Sequence, residues 1–412
     1  MMAQLQQNER PMAYFCGPPC WNLACNREIY MHGNTPRQVR DYARTPLNVY
    51  WEVTQACGLA CRHCRAEAMP EPNPDELSLE EGLEFLRQIP EFGLPQPQLI
   101  LTGGDPLLRQ GLFTLIDQAV SLGIGVSITP AATPALSLAM LTDLKSHGVE
   151  GVGLSLDGST AEKHDSIRCV AGTYDRTLDA LRWAGELDFP VQVNTLVSAE
   201  TAPDLPAIYE LLKGFRIARW SLFFLISVGR GKVLQPLDAA EAEELMEWIY
   251  ETSLTAPFVV ATTEAPSYRR VALQRMRADG LNGEEIKRSK AARGFGIRDG
   301  HGIVFVSSTG DICPAGFLPQ VAGNVRTGRI AAVYRCSTLF QQLHEPGSFE
   351  GRCGACEYHA LCGGSRARAY QATGDSLASD PLCEFIPRTG EFIPRTGEFI
   401  PQTGEFIPRT AG

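Results

Sequence analysis

The sequence predicts an α/β protein, a partial (β/α)6 barrel of the TIM type carrying a small cysteine-stapled module near its C-terminus. From residue 47 onward, short apolar or alternating runs recur, each followed by a longer segment of helical period. Six such pairs can be counted, fewer than the eight that close a barrel, so another part of the chain should cover the open side. Cys353, Cys356, Cys362 and Cys383 then fall in a Gly-rich, loop-heavy stretch of the kind that metals hold together.

The elements follow in order. Strands are expected at residues 48–54, 98–102, 125–129, 151–157, 191–197 and 220–227. Helices are expected at 78–89, 108–122, 133–146, 174–187, 203–214 and 238–252, several opened by Ser, Thr, Asp or Pro. A further strand is expected between residues 302 and 307, leading into the turn at Thr309-Gly310-Asp311. The chain divides into an N-terminal extension (1–44), the barrel (45–255), a helical linker (256–294), the cysteine-rich module (295–388) and a tail (389–412). The tail belongs to a tandem repeat, EFIPRTG, that begins at Glu384 and carries Gln402 in place of one Arg. A proline every seven residues, without helical or strand period, points to an extended peptide.

Bulk properties narrow the function. With 412 residues, 44% of them apolar and 20% charged, the chain has ample material for a core. A net charge of -10 argues against a general grip on nucleic acid, which requires Lys and Arg to neutralise phosphates. No apolar run reaches membrane-spanning length and no secretory block is present, so a cytoplasmic, non-membrane protein is expected. Thirteen cysteines in a reducing compartment read better as metal or redox groups than as disulfides.

Cys57, Cys61 and Cys64 carry the chemistry. Spaced by three and then two residues after a strand, they can wrap one corner of a 4Fe-4S cubane and leave the fourth iron without a protein ligand. Zinc is the alternative, but it needs a fourth ligand, and His63 between two of the cysteines is poorly placed to be one. The four C-terminal cysteines fit an iron-sulfur cluster or tetrahedral zinc equally by count. Cys16, Cys20 and Cys25 are either additional ligands or part of an unligated arm. Cys313 reads first as a buried thiol.

The run Cys57-Gly-Leu-Ala-Cys61-Arg-His-Cys64 resembles the signature of the radical S-adenosylmethionine (radical SAM) superfamily. Gly103-Gly104-Asp105-Pro106 resembles that family's Gly-Gly-Glu-Pro segment, whose backbone and carboxylate receive the methionine ammonium; Asp shortens the reach. The resemblance implies that Ser155, Asp157, Arg168 and Asn194 contact the ribose and methionine carboxylate, and that His63 lies against the adenine. It implies reductive cleavage of S-adenosylmethionine to a 5′-deoxyadenosyl radical that abstracts hydrogen from substrate, fed by an electron donor such as flavodoxin or ferredoxin.

Gly351-Arg-Cys-Gly-Ala-Cys356 and Leu361-Cys-Gly-Gly-Ser-Arg-Ala-Arg-Ala-Tyr370 resemble the SPASM-type (twitch-like) auxiliary-cluster domain. Ser365 stands where a second auxiliary cluster would need a cysteine, so a single auxiliary 4Fe-4S cluster is implied. Ala322 to Arg326, Asp380 to Cys383 and Val228 to Gly231 place the closest likeness among haem-pathway members. A tetrapyrrole is therefore the first substrate class and a peptide the second; a non-catalytic iron-sulfur or zinc scaffold is the remaining alternative. Tyr268, Arg269 and Arg270 are candidates to pair with substrate carboxylates, or else a solvated helix start.

Overall fold

The computed structural model describes residues 30–31, 36–37, 40–289 and 291–388. Cys16, Cys20, Cys25 and the repeats from residue 389 lie outside the described residues.

Six strands lie close to their expected places: β1 (Asn48–Glu52), β2 (Gln98–Thr102), β3 (Val126–Ile128), β4 (Val149–Ser155), β5 (Val191–Val197) and β6 (Arg219–Phe224). Two more extend the parallel set, β7 (Val259–Thr263) and β8 (Ile303–Val306). Antiparallel β9 (Asp311–Cys313) and β10 (Gly323–Asn324) follow. The strand order is β10-β9-β8-β1-β2-β3-β4-β5-β6-β7, an open ten-stranded sheet whose edges are β10 and β7. Its parallel strands have burial on both faces, as sheets covered by crossover helices require.

Helices α1 (Leu79–Gln88), α2 (Leu112–Ser121), α3 (Leu138–Ser146), α4 (Ala161–Arg168), α5 (Thr173–Glu186), α6 (Leu205–Leu212) and α7 (Ala239–Thr255) connect the strands. Sequence sets their starts. Ser78 caps α1 and Asp238 caps α7, each in a reciprocal box with the Glu three residues on. Gly82 lets α1 settle on the sheet, because a Cβ there would lie 2.9 Å from the Trp51 ring, itself fully buried and edge-on to Phe85 at 5.1 Å.

Two expectations need correction. Residues 256–294 are more than a helical linker: before α8 (Tyr268–Ala278) and α9 (Gly283–Arg288) they supply β7. Five residues reading Val-Val-Ala-Thr-Thr, mostly half-buried, carry too little alternation to announce a strand. The start of the expected module is also part of the main sheet, since β8 runs parallel to β1 with Val306 opposite Trp51. Helix α4 was not expected either; Ile167 is its one large aliphatic residue, so it shows almost no apolar period.

The remaining helices, α10 (Ile330–Cys336), α11 (Thr338–His344), α12 (Gly351–Gly354) and α13 (Arg366–Thr373), lie in the C-terminal segment. Among the described residues no helix is long and apolar enough to cross a membrane.

Candidate functional site

The carboxyl ends of the strands open into a cavity of about 290 Å³. Cys57, Cys61 and Cys64 line it, together with His63, Gly103, Gly104, Ser155, Arg168 and Asn194. Most of the expected site residues, from the first, second, fourth and fifth strands, are thus brought to one place.

The cysteine loop is fixed by hydrogen bonds to backbone. Cys57 N–H donates to the Met69 carbonyl at 2.7 Å, and Arg62 N–H to the Ile167 carbonyl at 2.9 Å. Sulfurs receive donors in turn: Leu59 N–H at 3.3 Å from Cys57 Sγ, Ala68 N–H at 3.4 Å from Cys64 Sγ, and Arg168 Nη1 at 3.7 Å from Cys61 Sγ. Burial pushes the Cys57 thiol up to about 11 and raises Cys61 as well. Such thiols stay protonated until a cation displaces the proton, which suits metal ligands better than free nucleophiles.

Gly103 and Gly104 permit a close backbone approach. A Cβ on Gly103 would stand 2.3 Å from the Thr54 carbonyl oxygen, and on Gly104 2.3 Å from that of Ala56, so only glycine lets β2 end against the strand leading into Cys57. Gly103 also has φ +151°.

Asp105 and Pro106 depart from expectation. The Asp105 carboxylate is fully buried and turned away from the cavity. It accepts from Leu107 N–H, Ala131 N–H and the Thr133 hydroxyl at 3.2, 3.3 and 2.9 Å, tying the ends of β2 and β3 together. Pro106 starts the 3-10 turn that this aspartate caps. Burial raises the Asp105 pKa. A shorter side chain has become a brace, and only the two glycines of the segment face the ligand space.

Asp157 likewise points inward. It ion-pairs with Arg168 at 2.5 Å and accepts Leu196 N–H at 2.8 Å. Although burial pushes the Asp157 carboxyl up, Arg168 outweighs it and holds the group below its usual range. Arg168 in turn stays charged in spite of burial because Asp157 and Cys61 hold its proton. Its Nε is buried without a partner.

Two histidines are neutral. Burial, then the Arg168 charge, depresses both His63 and His164 to about 4. His164 Nδ1 accepts Asp157 N–H at 3.0 Å, leaving Nε2 as the protonated nitrogen, buried and without a partner; His63 Nδ1 is also buried and unpartnered. Orphaned polar atoms around a polar-and-apolar cavity fit a ligand such as S-adenosylmethionine, which offers both donors and acceptors.

Sequence reasoning missed several residues here. Arg230 donates from Nε to the Cys61 carbonyl at 3.0 Å, from Nη1 to the Ala68 carbonyl at 2.9 Å, and from its backbone N–H to the Cys64 carbonyl at 3.1 Å. Gly229, at φ +53°, makes room: a Cβ would meet the carbonyls of Cys64 and Arg65 at 2.6 Å. The Val228-Gly-Arg-Gly231 segment is therefore a clamp on the cysteine loop; a Gly-x-Gly after a strand was the available signal. Arg65 pairs with buried Glu52 at 3.0 Å and lies over the Phe305 ring at 4.7 Å. Glu264 and Asp299 also line the cavity.

Cys353, Cys356, Cys362 and Cys383 surround a second, small cavity of about 20 Å³. Their sulfurs accept from Tyr358 N–H (Cys356, 3.4 Å), Gly364 N–H (Cys362, 3.3 Å) and both Asp380 N–H and Arg366 Nη2 (Cys353, 3.4 and 3.5 Å). Burial pushes Cys356 to about 11 and Cys362 to about 12. Cys313 is buried on β9, its thiol pushed to about 12 by burial. Ser365 donates its hydroxyl to Glu264 at 2.6 Å.

Tyr268, Arg269 and Arg270 do not line the large cavity. Tyr268 is in the core, and Arg270 pairs with Glu243 at 2.5 Å and faces the C-terminal cysteines.

A family model for the radical SAM superfamily matches residues 51–212, which include the cysteine loop and strands β2 to β5. An AdoMet-dependent heme synthase of Oleidesulfovibrio alaskensis is 36% identical over 86% of this chain and 91% of its own length. This chain belongs to the radical SAM superfamily. A second AdoMet-dependent heme synthase, from Nitratidesulfovibrio vulgaris, is 35% identical over 87% of this radical SAM chain and 96% of its own. The fold is shared with Streptococcus suis SuiB bound to S-adenosylmethionine, at a TM-score of 0.63 and 18% identity over 83% of this chain and 78% of that one. This is thus a radical SAM enzyme, and membership in the family implies a 4Fe-4S cluster and S-adenosylmethionine as its cofactors.

Proposed function

We propose that this radical SAM enzyme acts on a carboxylate-bearing tetrapyrrole, modifying a propionate side chain as a step in making haem. The supporting observation is likeness to AdoMet-dependent heme synthases over 86–87% of this chain and 91–96% of theirs. On this reading Cys57, Cys61 and Cys64 hold the 4Fe-4S cluster, and Gly103, Gly104, Ser155, Arg168, Asn194 and His63 hold S-adenosylmethionine. When bound there, those groups would supply the one-electron reductive chemistry of the family within the cavity.

The chain's own residues do the rest. Arg230 and Gly229 fix the cysteine loop, while Arg168, on the cavity wall, keeps Cys61 in an electropositive setting. Neutral His63 and His164 offer uncharged donors and acceptors, so no proton is gained or lost at neutral pH. Asp105 and Asp157 brace the strand ends rather than touch the ligand.

We assign the four C-terminal cysteines to one auxiliary 4Fe-4S cluster. Tetrahedral zinc needs its four ligands gathered about a single ion. A cubane is broader and suits four thiols around a cavity. An external one-electron donor, such as a flavodoxin or ferredoxin, and a reducing cytoplasmic setting complete the reading.

The test is anaerobic reconstitution with iron and sulfide analysis, then incubation with S-adenosylmethionine, dithionite and a propionate-bearing iron porphyrin. The expected result is about eight irons per chain, 5′-deoxyadenosine, and a porphyrin that has lost carbon dioxide. Modification of a peptide with the porphyrin untouched would replace this reading, and absence of 5′-deoxyadenosine would favour a scaffold.

A further inference from the structure

Among the described residues three arginines line the large cavity, and their donors are spent unequally. Arg168 is paired with Asp157 and donates to Cys61. Arg230 gives Nε and Nη1 to carbonyls of the cysteine loop. The nitrogens these two leave over, Arg168 Nε and Arg230 Nη2, are buried. Arg65 differs. Its Nη2 lies 3.0 Å from Glu52 Oε2, and its side chain stays 18% exposed. Among the described residues its Nε–H and both Nη1 hydrogens have no protein acceptor.

The surroundings of Arg65 hold it in place. Its backbone is pinned beneath Gly229, where a Cβ would stand 2.6 Å from the Arg65 carbonyl oxygen. The guanidinium carbon lies 4.7 Å from the centre of the Phe305 ring and 6.0 Å from that of Phe317. Gly316 packs against the same group so closely that a Cβ there would meet Nε, Cζ and Cδ at 3.1, 3.2 and 3.3 Å. Phe305, Gly316 and Phe317 all line the cavity. A cation held this way loses little freedom when an anion docks on it, and aromatic walls keep water from screening the pair.

Glu52 does not exhaust this cation. A guanidinium carries five N–H donors in a planar fork and can serve two carboxylates at once. Glu52, at the end of β1 and 3% exposed, compensates the charge from behind and leaves the remaining donors for a ligand.

We propose that Arg65 is the specificity-determining residue for the substrate, taking one propionate carboxylate of the tetrapyrrole while Phe305 and Phe317 form the apolar wall beside it. The proposal rests on the tetrapyrrole reading for the nature of the substrate. No proton has to move, because a guanidinium is charged and a propionate ionised at neutral pH. An ester of the same side chain keeps acceptor oxygens but loses the charge, so the pair with Arg65 is what separates acid from ester.

The test is equilibrium titration of the reconstituted enzyme with a propionate-bearing iron porphyrin and with its propionate methyl ester. Wild type should prefer the acid by at least about tenfold. Arg65→Gln should bind the acid at least about tenfold more weakly and the ester as wild type does, so that the preference disappears. Arg65→Lys should recover part of it, since a point charge replaces the fork. Gly316→Ala, which crowds the guanidinium from outside the cysteine loop, should weaken acid binding alone and decides the matter if Arg65→Gln fails to retain iron. Equal losses for acid and ester would make Arg65 a brace and overturn the proposal. A wild type that binds both forms equally also overturns it, with the tetrapyrrole reading intact. An enzyme that binds neither form overturns that reading and the proposal with it.

Discussion

Asp157 and Arg168 show how a buried pair can serve a site without entering it. Asp157 is 2% exposed, so its removal leaves an unpaired guanidinium in a low-dielectric pocket. Asp157→Ala should destabilise the fold by about 3–5 kcal/mol, read as a lower guanidinium midpoint for the cluster-free protein under reducing conditions. His164 makes a pH prediction. Its folded pKa of about 4 lies below the ordinary 6.5, so the unfolded chain binds a proton that the native one refuses, and stability is lost as pH falls from 6.5 toward 4. The loss can reach about 3 kcal/mol, and His164→Asn should flatten that part of a stability-against-pH curve. The cysteines and the two glycines were legible at this scale because their spacing and chemistry are local. Asp105 was misread because a carboxylate next to a glycine pair looks the same in sequence whether it faces the ligand or caps a turn.

Loops and strand ends, taken as elements, divide the work of holding the cysteine loop. The residues from Gln55 to Met69 have backbone bonds to one another, but their anchors come from elsewhere, chiefly Arg230 after β6 and the Gly103-Gly104 turn after β2. Arg230→Gln should leave the far-ultraviolet dichroism nearly unchanged and reduce iron retained by the three cysteines, measured in a Cys353→Ser/Cys356→Ser background that isolates the first site. Ser78→Ala tests the helix that follows the cysteine loop in the sheet's first crossover; losing the α1 capping box should cost about 1 kcal/mol, seen as a small drop in melting temperature. The βα alternation was readable because apolar period records which face is buried. β7 and α4 were not, since one is short and half-buried and the other is almost wholly polar. Tertiary contact, rather than local pattern, makes them what they are.

At the scale of the molecule, the C-terminal third is joined to the barrel by more than proximity. β8 pairs with β1 through four residues, and Val304 and Val306 are fully buried in the main core. A chain ending at residue 295 should therefore be insoluble or molten, not an independently folded barrel; retained cooperative melting of that fragment would contradict this. The boundary at residue 295 looked natural because the cysteine-rich composition begins nearby, whereas which strand accepts β8 is a long-range choice that composition does not record. That pairing has a consequence in time. Trp51 and Val306 are separated by 255 positions, and at roughly 5–20 residues per second a ribosome needs on the order of 10–50 s to bridge that interval. During synthesis the first strand and its cysteine loop thus emerge long before their neighbour, so the three thiols stand uncovered until the remainder of the polypeptide shuts them in.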